Sequence, residues 1–119
     1  HVLQVVAALV AELGHCPPDV LVALWALRGY TYEKQGSIDI SFLAYLQALT
    51  MLNEAWGDPR KRGGRGHPFA LLLAWKLGLV SYCRGDVKSI DKFGDYFRSV
   101  ALYHMTSCPF VWGPPACVA

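Results

Sequence analysis

The chain has 119 residues, of which 54% are hydrophobic and 17% are charged, and its formal net charge is +2. This length suffices for one domain with a buried core, and the composition excludes a chain that is disordered throughout. A net charge this small is no evidence by itself for nucleic-acid binding. Four tryptophans, six tyrosines and five phenylalanines are many for so few polar residues, so we expect part of the apolar surface to be an interface.

The breakers along the chain divide it into five predicted helices, and no segment has a convincing strand pattern. Gly36 and Gly85 each interrupt a run of apolar residues, and the residues that follow them, Ser37 and Asp86, are suited to cap the next helix. The expected helices are about Val2–Leu13, Val20–Lys34, Ile38–Trp56, Phe69–Cys83 and Val87–Met105.

A basic, glycine-rich loop is predicted over residues 57–68, because glycines and prolines there prevent regular structure. Residues 106–119 contain three prolines and are expected to form an extended tail after a helical domain of residues 1–105. Because the chain begins with His1, we expect a fragment or a processed product.

Cysteine content and hydropathy bear on the compartment. Four cysteines without C-x-x-C spacing fit neither a disulfide scaffold nor a zinc or redox motif, so we expect reduced thiols in an intracellular, cytoplasmic protein. The apolar stretches Val2–Leu13 and Phe69–Tyr82 are too short to cross a bilayer, so no membrane span is predicted.

The two central helix pairs share a layout. Gly29 and Gly36 recur as Gly78 and Gly85, displaced by the same number of residues, which indicates an internal repeat. We expect the small residues Gly29, Ala48 and Gly78 to let the helices of each pair approach closely.

The first of these pairs resembles the tetratricopeptide repeat. The residues that carry the resemblance are Trp25, Gly29, Tyr32, Gly36, Tyr45 and Ala48. The sequence departs from the repeat pattern with Arg28 at its Leu position, Ser41 at an Ala position and Asn53 at the closing Pro. The second copy is looser, with Leu77, Gly78 and Gly85 in place, and its His-Pro opening is similar to the long-repeat variety of kinesin light chains.

This resemblance implies an array of antiparallel helix hairpins that is part of something longer, and a scaffold or adaptor function. The first helix of each pair would line a concave groove that binds a peptide or a partner helix. The implied groove residues are Tyr30, Glu33, Lys34, Leu72, Trp75, Leu79 and Tyr82. Such a groove is aromatic, with Glu33 and Lys34 as one exposed charge pair, and suits hydrophobic anchors.

Two features of that groove need comment. Trp75 and Tyr82 have an alternative place in the core, where aromatic residues at helical spacing usually lie. The carboxylate clamp of chaperone-binding members of the family is absent, because Ala26, Tyr30 and Trp75 occupy the matching positions.

Two other functions remain open. The loop residues Arg60, Lys61, Arg62 and Arg65 lie among glycines, as in flexible segments that contact RNA, so a polyanion-binding domain is one alternative. A structural subunit whose apolar surface is permanently buried in a large assembly is another.

Catalysis, metals and cofactors find little support in the sequence. His104 and Cys108 are spaced i, i+4, and His15 precedes Cys16, but nothing in the sequence brings the two pairs together. No nucleophile, zinc-protease or phosphate-loop motif occurs, so we expect neither an enzyme nor a cofactor. Three aspartates, Asp86, Asp91 and Asp95, are better explained as the N-cap and polar face of the fifth helix.

Overall fold

The computed structural model describes residues 2–13, 17–58, 60–61 and 66–107, and every regular element in that part of the chain is an α-helix. The helices are α1 (Val2–Leu13), α2 (Pro18–Lys34), α3 (Ile38–Trp56), α4 (Phe69–Arg84) and α5 (Val87–Ser107). The predicted all-α class and the five helices are confirmed, with bounds that differ from the prediction by at most two residues. None of the helices described is long and apolar enough to cross a membrane.

The differences lie at helix ends. Helix α2 begins at Pro18 rather than Val20, because a proline in the first turn needs no hydrogen-bond partner for its nitrogen. Helix α5 continues to Ser107, so the predicted start of the tail at residue 106 is wrong by two residues. The remainder of the predicted tail, residues 108–119, lies outside the described residues.

Helices α2 and α4 end in the same way. Gly36 and Gly85 both have positive φ angles, of 81° and 71°, which glycine adopts without steric cost. At each end the amide after the glycine donates to the carbonyl five residues back: Ser37 to Tyr32 at 2.9 Å, and Asp86 to Ser81 at 3.0 Å. These are Schellman motifs, and they give the two predicted repeat positions the same backbone geometry.

The helix starts that follow are unlike each other. Asp86 accepts hydrogen bonds from the backbone amide of Ser89 at 3.2 Å and from its hydroxyl at 2.7 Å, so it caps α5 as predicted. Ser37 occupies the N-cap position of α3, but its side chain makes no capping hydrogen bond, and the predicted cap is wrong in that respect.

The helices pack in consecutive antiparallel pairs, α2 with α3 and α4 with α5, and α3 also packs against α4, which joins the two pairs. Helix α1 packs against α2. One continuous core forms between the two hairpins, and the rings of Phe42 and Phe93 meet edge to face across it at 5.9 Å. Its largest members are Phe42, Tyr45, Leu49, Leu52, Leu73, Leu77, Phe93 and Tyr96.

The close approach expected at the glycines occurs in only one hairpin. In the first, the Tyr45 ring lies against Gly29, and Ser41 Oγ donates to the Gly29 carbonyl oxygen at 2.7 Å. In the second, a β-carbon added to Gly78 would have no neighbour within 4 Å, so the prediction for Gly78 is wrong. The physical reason is that Gly94 follows Gly78 at the spacing at which Tyr45 follows the first glycine, so no aromatic ring fills the space.

Candidate functional site

Helix α4 is apolar on both faces. Its inner face is buried in the core through Ala70, Leu73, Ala74, Leu77 and Val80. Its outer face exposes Leu72 (44%), Trp75 (53%), Leu79 (38%) and Tyr82 (73%), which we call the α4 stripe. The four follow one another at i, i+3, i+7 and i+10, so they lie in one row along the helix. The alternative that places Trp75 and Tyr82 in the core is therefore wrong.

The α4 stripe is flanked by a group of aromatic and basic side chains that joins α2 to α4. Lys76 Nζ lies 5.3 Å from the ring centroid of Tyr30 on α2 and 5.1 Å from that of Trp75. Lys34 Nζ lies 5.2 Å from the same Tyr30 ring, which is 44% exposed. The structure thus brings Tyr30, Lys34 and Trp75 from the predicted groove together, with Lys76 among them.

Glu33 is the predicted groove residue whose role differs from the expectation. Its carboxylate accepts a hydrogen bond from the Tyr45 hydroxyl at 2.8 Å and two from Lys76 Nζ, each at 3.3 Å. The Glu33 side chain is 16% exposed and that of Lys76 15%. The predicted exposed pair of Glu33 with Lys34 is therefore wrong, because the carboxylate turns inward toward α3 and α4.

Burial, reinforced by the hydrogen bond to Glu33, raises the pKa of the Tyr45 hydroxyl well above its ordinary value. The phenol therefore remains a neutral donor to the carboxylate over the whole physiological pH range. This network fixes the rotamer of Glu33 and, through it, the position of the Lys76 ammonium beside the two exposed rings.

Lys76 is the member of this group that the sequence reasoning did not select. It is the one charged residue inside the apolar helix α4, since the other, Arg84, is its last residue. A charge within an apolar helix commonly has a partner on a neighbouring element, and that signal could have drawn attention to it.

The basic loop is anchored at its first arginine. Arg60 makes a bidentate contact with the buried Asp58, with Nη2 at 2.7 Å from Oδ2 and Nε at 3.1 Å from Oδ1. Its guanidinium also lies 4.6 Å from the ring centroid of Tyr96. The hydrogen bond from Arg60 lowers the pKa of Asp58, against the opposing effect of burial. Arg60 is thus engaged within the fold rather than presented to a polyanion.

Of the other basic residues of the loop, only Lys61 belongs to the part of the chain that the structure describes. Lys61 is exposed, while Arg62 and Arg65 lie outside the described residues. Beyond them the two ends of the loop meet, since the Trp56 and His67 rings lie edge to face at 4.8 Å. His67 Nδ1 also accepts a hydrogen bond from the Phe69 amide at 3.0 Å, which satisfies one free N–H at the start of α4.

A second concave region lies between α2 and α3. It is an open pocket of about 360 Å³, whose lining includes Trp25, Arg28, Tyr32, Ile40 and Leu43. The Arg28 guanidinium lies over the Trp25 ring at 4.9 Å, and Ile40 and Leu43 are 50% and 64% exposed. Trp25 was expected as a residue of the repeat pattern, and no pocket was predicted here.

Metal ligation has no assembled site among the described residues, where no group of three or more His, Cys, Asp or Glu side chains converges. Of the residues considered as ligands, His104 is buried in α5. The other residues considered, His15, Cys16, Cys108 and Cys117, lie outside the described residues.

Comparison with known proteins adds no family to this picture. No family model, no curated protein and no solved structure is significantly similar to the chain. The resemblance to the tetratricopeptide repeat therefore remains a prediction from the residues that carry it, and the surface formed by α2 and α4 is interpreted from its own geometry.

Proposed function

We propose that the protein is a non-catalytic interaction module, a scaffold or adaptor of the cytoplasm, that binds a peptide or helix of another protein on the surface formed by α2 and α4. The α4 stripe is the observation that carries this proposal. Its four large apolar side chains lie exposed in one row, on a helix whose opposite face is already core. Helices that are apolar all round are typically covered on all sides.

The energetics favour a covered stripe. Complete burial of one such side chain is worth about 1.5–3 kcal/mol, so covering four half-exposed ones contributes several kcal/mol to association. Trp and Tyr are also the side chains that most often dominate the binding energy of protein interfaces. Leu72 and Leu79 alternate with these two aromatic anchors and extend the contact along the helix.

A tetratricopeptide-like array is part of the proposal. It is supported by two stacked hairpins, by identical ends at Gly36 and Gly85, and by first helices that contribute to one surface. The apolar pocket beside Ile40 and Leu43 is a surface against which a further hairpin of such an array would pack.

Two alternatives can be weighed against this surface. Polyanion binding loses support because Arg60 is held by Asp58 and stacks on Tyr96. A structural subunit would use the same apolar α4 stripe, but buried permanently, and then the isolated protein would aggregate rather than exchange partners.

The test is a pull-down from nuclease-treated lysate at low and high salt with three proteins: wild type, Trp75→Ala and Phe97→Ala. Phe97 is the matched control, an aromatic residue that is 40% exposed on α5, away from the α4 stripe. We expect a protein partner that tolerates salt and nuclease, is lost with Trp75→Ala and is retained with Phe97→Ala. Retention that requires nucleic acid would favour the basic loop and contradict the proposal.

A further inference from the structure

The charges around the α4 stripe are unbalanced. Helix α4 contains no acidic residue. Helix α2 contains two, and both are engaged: Asp19 accepts from Trp56 Nε1 at 3.3 Å, and Glu33 accepts from Lys76 and Tyr45. Asp19 lies in the first turn of α2, so near Tyr30 the only carboxylate of these two helices is that of Glu33, which is already paired.

The basic side chains beside the α4 stripe differ in whether they have an acidic partner. Lys34 is exposed, its Nζ lies 5.2 Å from the ring centroid of Tyr30, and among the described residues it forms no salt bridge. Lys76 shares the charge of Glu33, while Arg84, at the end of the stripe, is paired with Asp39 at 2.9 Å. Because Glu33 balances the charge of Lys76, the positive charge left at the rim of the apolar row is that of Lys34, beside Tyr30.

The shape of the row favours a helix as its occupant. The four side chains extend in a straight line over about 15 Å, at spacings of three, four and three residues, which is the pattern of a helix–helix seam. The described residues offer no strand edge to which an extended peptide could add by backbone pairing.

We infer that the partner of this surface is an acidic amphipathic helix, whose apolar side chains cover the α4 stripe and whose carboxylates face Lys34. This inference rests on the proposed function and specifies the chemistry of the partner. The apolar row supplies the contact area, and the charge at its rim selects the partner by sign.

A second copy of the chain is a poorer occupant. In a dimer, two α4 helices could pair antiparallel with a two-fold axis at the level of Leu77. Leu72 would then contact Tyr82 of the other copy, and Trp75 would contact Leu79. Each contact joins a large side chain to a smaller one, so the sizes are compatible. The α2 helices of the two copies would then also face each other, however, so their Lys34 ammonium groups would meet and repel each other, while Glu33 is already paired with Lys76. Charge therefore disfavours self-association through this row and favours an acidic partner.

The test uses the full chain and three labelled helical peptides of about 18 residues. All carry leucines at i, i+3, i+7 and i+10, with flanking positions occupied by glutamate, glutamine or lysine. Fluorescence anisotropy is expected to show the glutamate peptide binding about two to five times more tightly than the glutamine peptide. The lysine peptide should bind most weakly, and the differences should shrink between about 50 mM and about 500 mM salt.

Two variants with the same change of charge locate the effect. Lys34→Gln should remove most of the preference for glutamate. Lys88→Gln, an exposed lysine on α5, should leave it unchanged. A preference that survives Lys34→Gln, or that both variants lose equally, would overturn the assignment of the acidic partner to this rim.

The remaining outcomes separate this inference from the proposed function. If glutamate and glutamine peptides bind equally and Trp75→Ala weakens both, the interaction surface stands and the acidic partner is wrong. If no peptide binds, the inference is overturned, while the proposed function is decided by the pull-down with Trp75→Ala and Phe97→Ala. If sedimentation shows a dimer that Leu79→Glu disrupts, the occupant is a second copy and the inference fails.

Discussion

The ring of Tyr45 lies directly on the backbone of Gly29: a β-carbon at Gly29 would be 2.8 Å from Tyr45 Cδ1. The ring has little freedom to move away, because its hydroxyl is bonded to Glu33 and its side chain is buried in the core. This contact sets the distance between α2 and α3. The equivalent glycine of the second hairpin, Gly78, has no such neighbour.

The same substitution at these two glycines should therefore have opposite effects. We expect Gly29→Ala to lower the free energy of unfolding by about 1–3 kcal/mol, because the added methyl group overlaps the ring. Gly78→Ala should raise it by about 0.5–1 kcal/mol, since alanine is the better helix former where space is open. Urea unfolding of both variants beside wild type measures this, and changes of equal sign would contradict the packing difference.

Tyr45 and Tyr96 should limit the stability of the protein at high pH. Burial raises the pKa of both hydroxyls, so the folded chain keeps protons that the unfolded chain loses above about pH 10. Their stabilising contribution is complete below that pH and is lost as the pH rises toward the folded-state pKa. Tyr45→Phe should reduce the loss by up to about 1.4 kcal/mol per pH unit, measured by urea unfolding between pH 8 and about pH 11.

The matched control for that measurement is Tyr82→Phe, which removes a hydroxyl from a side chain that is 73% exposed. Its pH dependence should match that of wild type. At neutral pH Tyr45→Phe should also cost about 1 kcal/mol, because Glu33 loses a hydrogen bond. A Tyr45→Phe variant with the alkaline profile of wild type would show that this hydroxyl does not govern the transition.

Arg60 and Lys61 are adjacent basic residues with different predicted effects on stability. Arg60→Ala should cost about 1–3 kcal/mol, because it removes the guanidinium from the buried carboxylate of Asp58 and leaves only the backbone amide of residue 60 as a donor. Lys61→Ala should change stability by less than about 0.5 kcal/mol, since the side chain is exposed. Thermal and urea unfolding at neutral pH compare the two, and equal effects would argue against an anchored Arg60.

The same pair gives a prediction at low pH. Arg60 lowers the pKa of Asp58, so the stabilisation it provides is present at neutral pH and is lost as the pH falls below about 4. In Arg60→Ala the acid-induced loss of stability should therefore be smaller than in wild type. Urea midpoints at pH 7 and about pH 3 make this comparison, and an undiminished loss would assign it to other carboxyl groups.

Binding and stability should be separable on α4. Tyr82→Ala removes a side chain that is 73% exposed, so it should change the free energy of unfolding by less than about 0.5 kcal/mol, and Trp75→Ala, at 53% exposed, should lower it by about 1 kcal/mol. Leu77→Ala, on the buried face of the same helix, should cost about 2–5 kcal/mol. Urea unfolding measures all three, and a large loss with Trp75→Ala would mean that it acts through the fold rather than at a surface.

The sequence predicts the helices well because the signals that bound them are local. Gly36 and Gly85 adopt backbone angles that other residues disfavour, so each marks a helix end whatever packs against it. The spacing of the apolar residues likewise predicts the outer row of α4. The sequence does not predict whether Trp75 lies in the core or on the surface, because a helix that is apolar all round has no polar side to orient it.

The contacts between separate elements that the sequence did not predict join positions that are far apart in the chain. The ion pair of Lys76 with Glu33 joins the two hairpins, and the Arg60 guanidinium lies over the ring of Tyr96 on α5. Such pairings depend on how the hairpins stack, which no single helix encodes. Gly78 shows the converse: the glycine recurs with the repeat, but the aromatic ring that gave Gly29 its role does not.

The contact between Trp56 and His67 has a consequence for how the chain tolerates change. Because these rings meet at 4.8 Å, the residues between them leave and return at nearly the same point of the molecule. The contact between the two rings thus holds the hairpins in register, whatever the length of the loop between Trp56 and His67. Closing a longer segment costs little extra entropy, so an insertion between Gly63 and Gly64 would leave the hairpins in place.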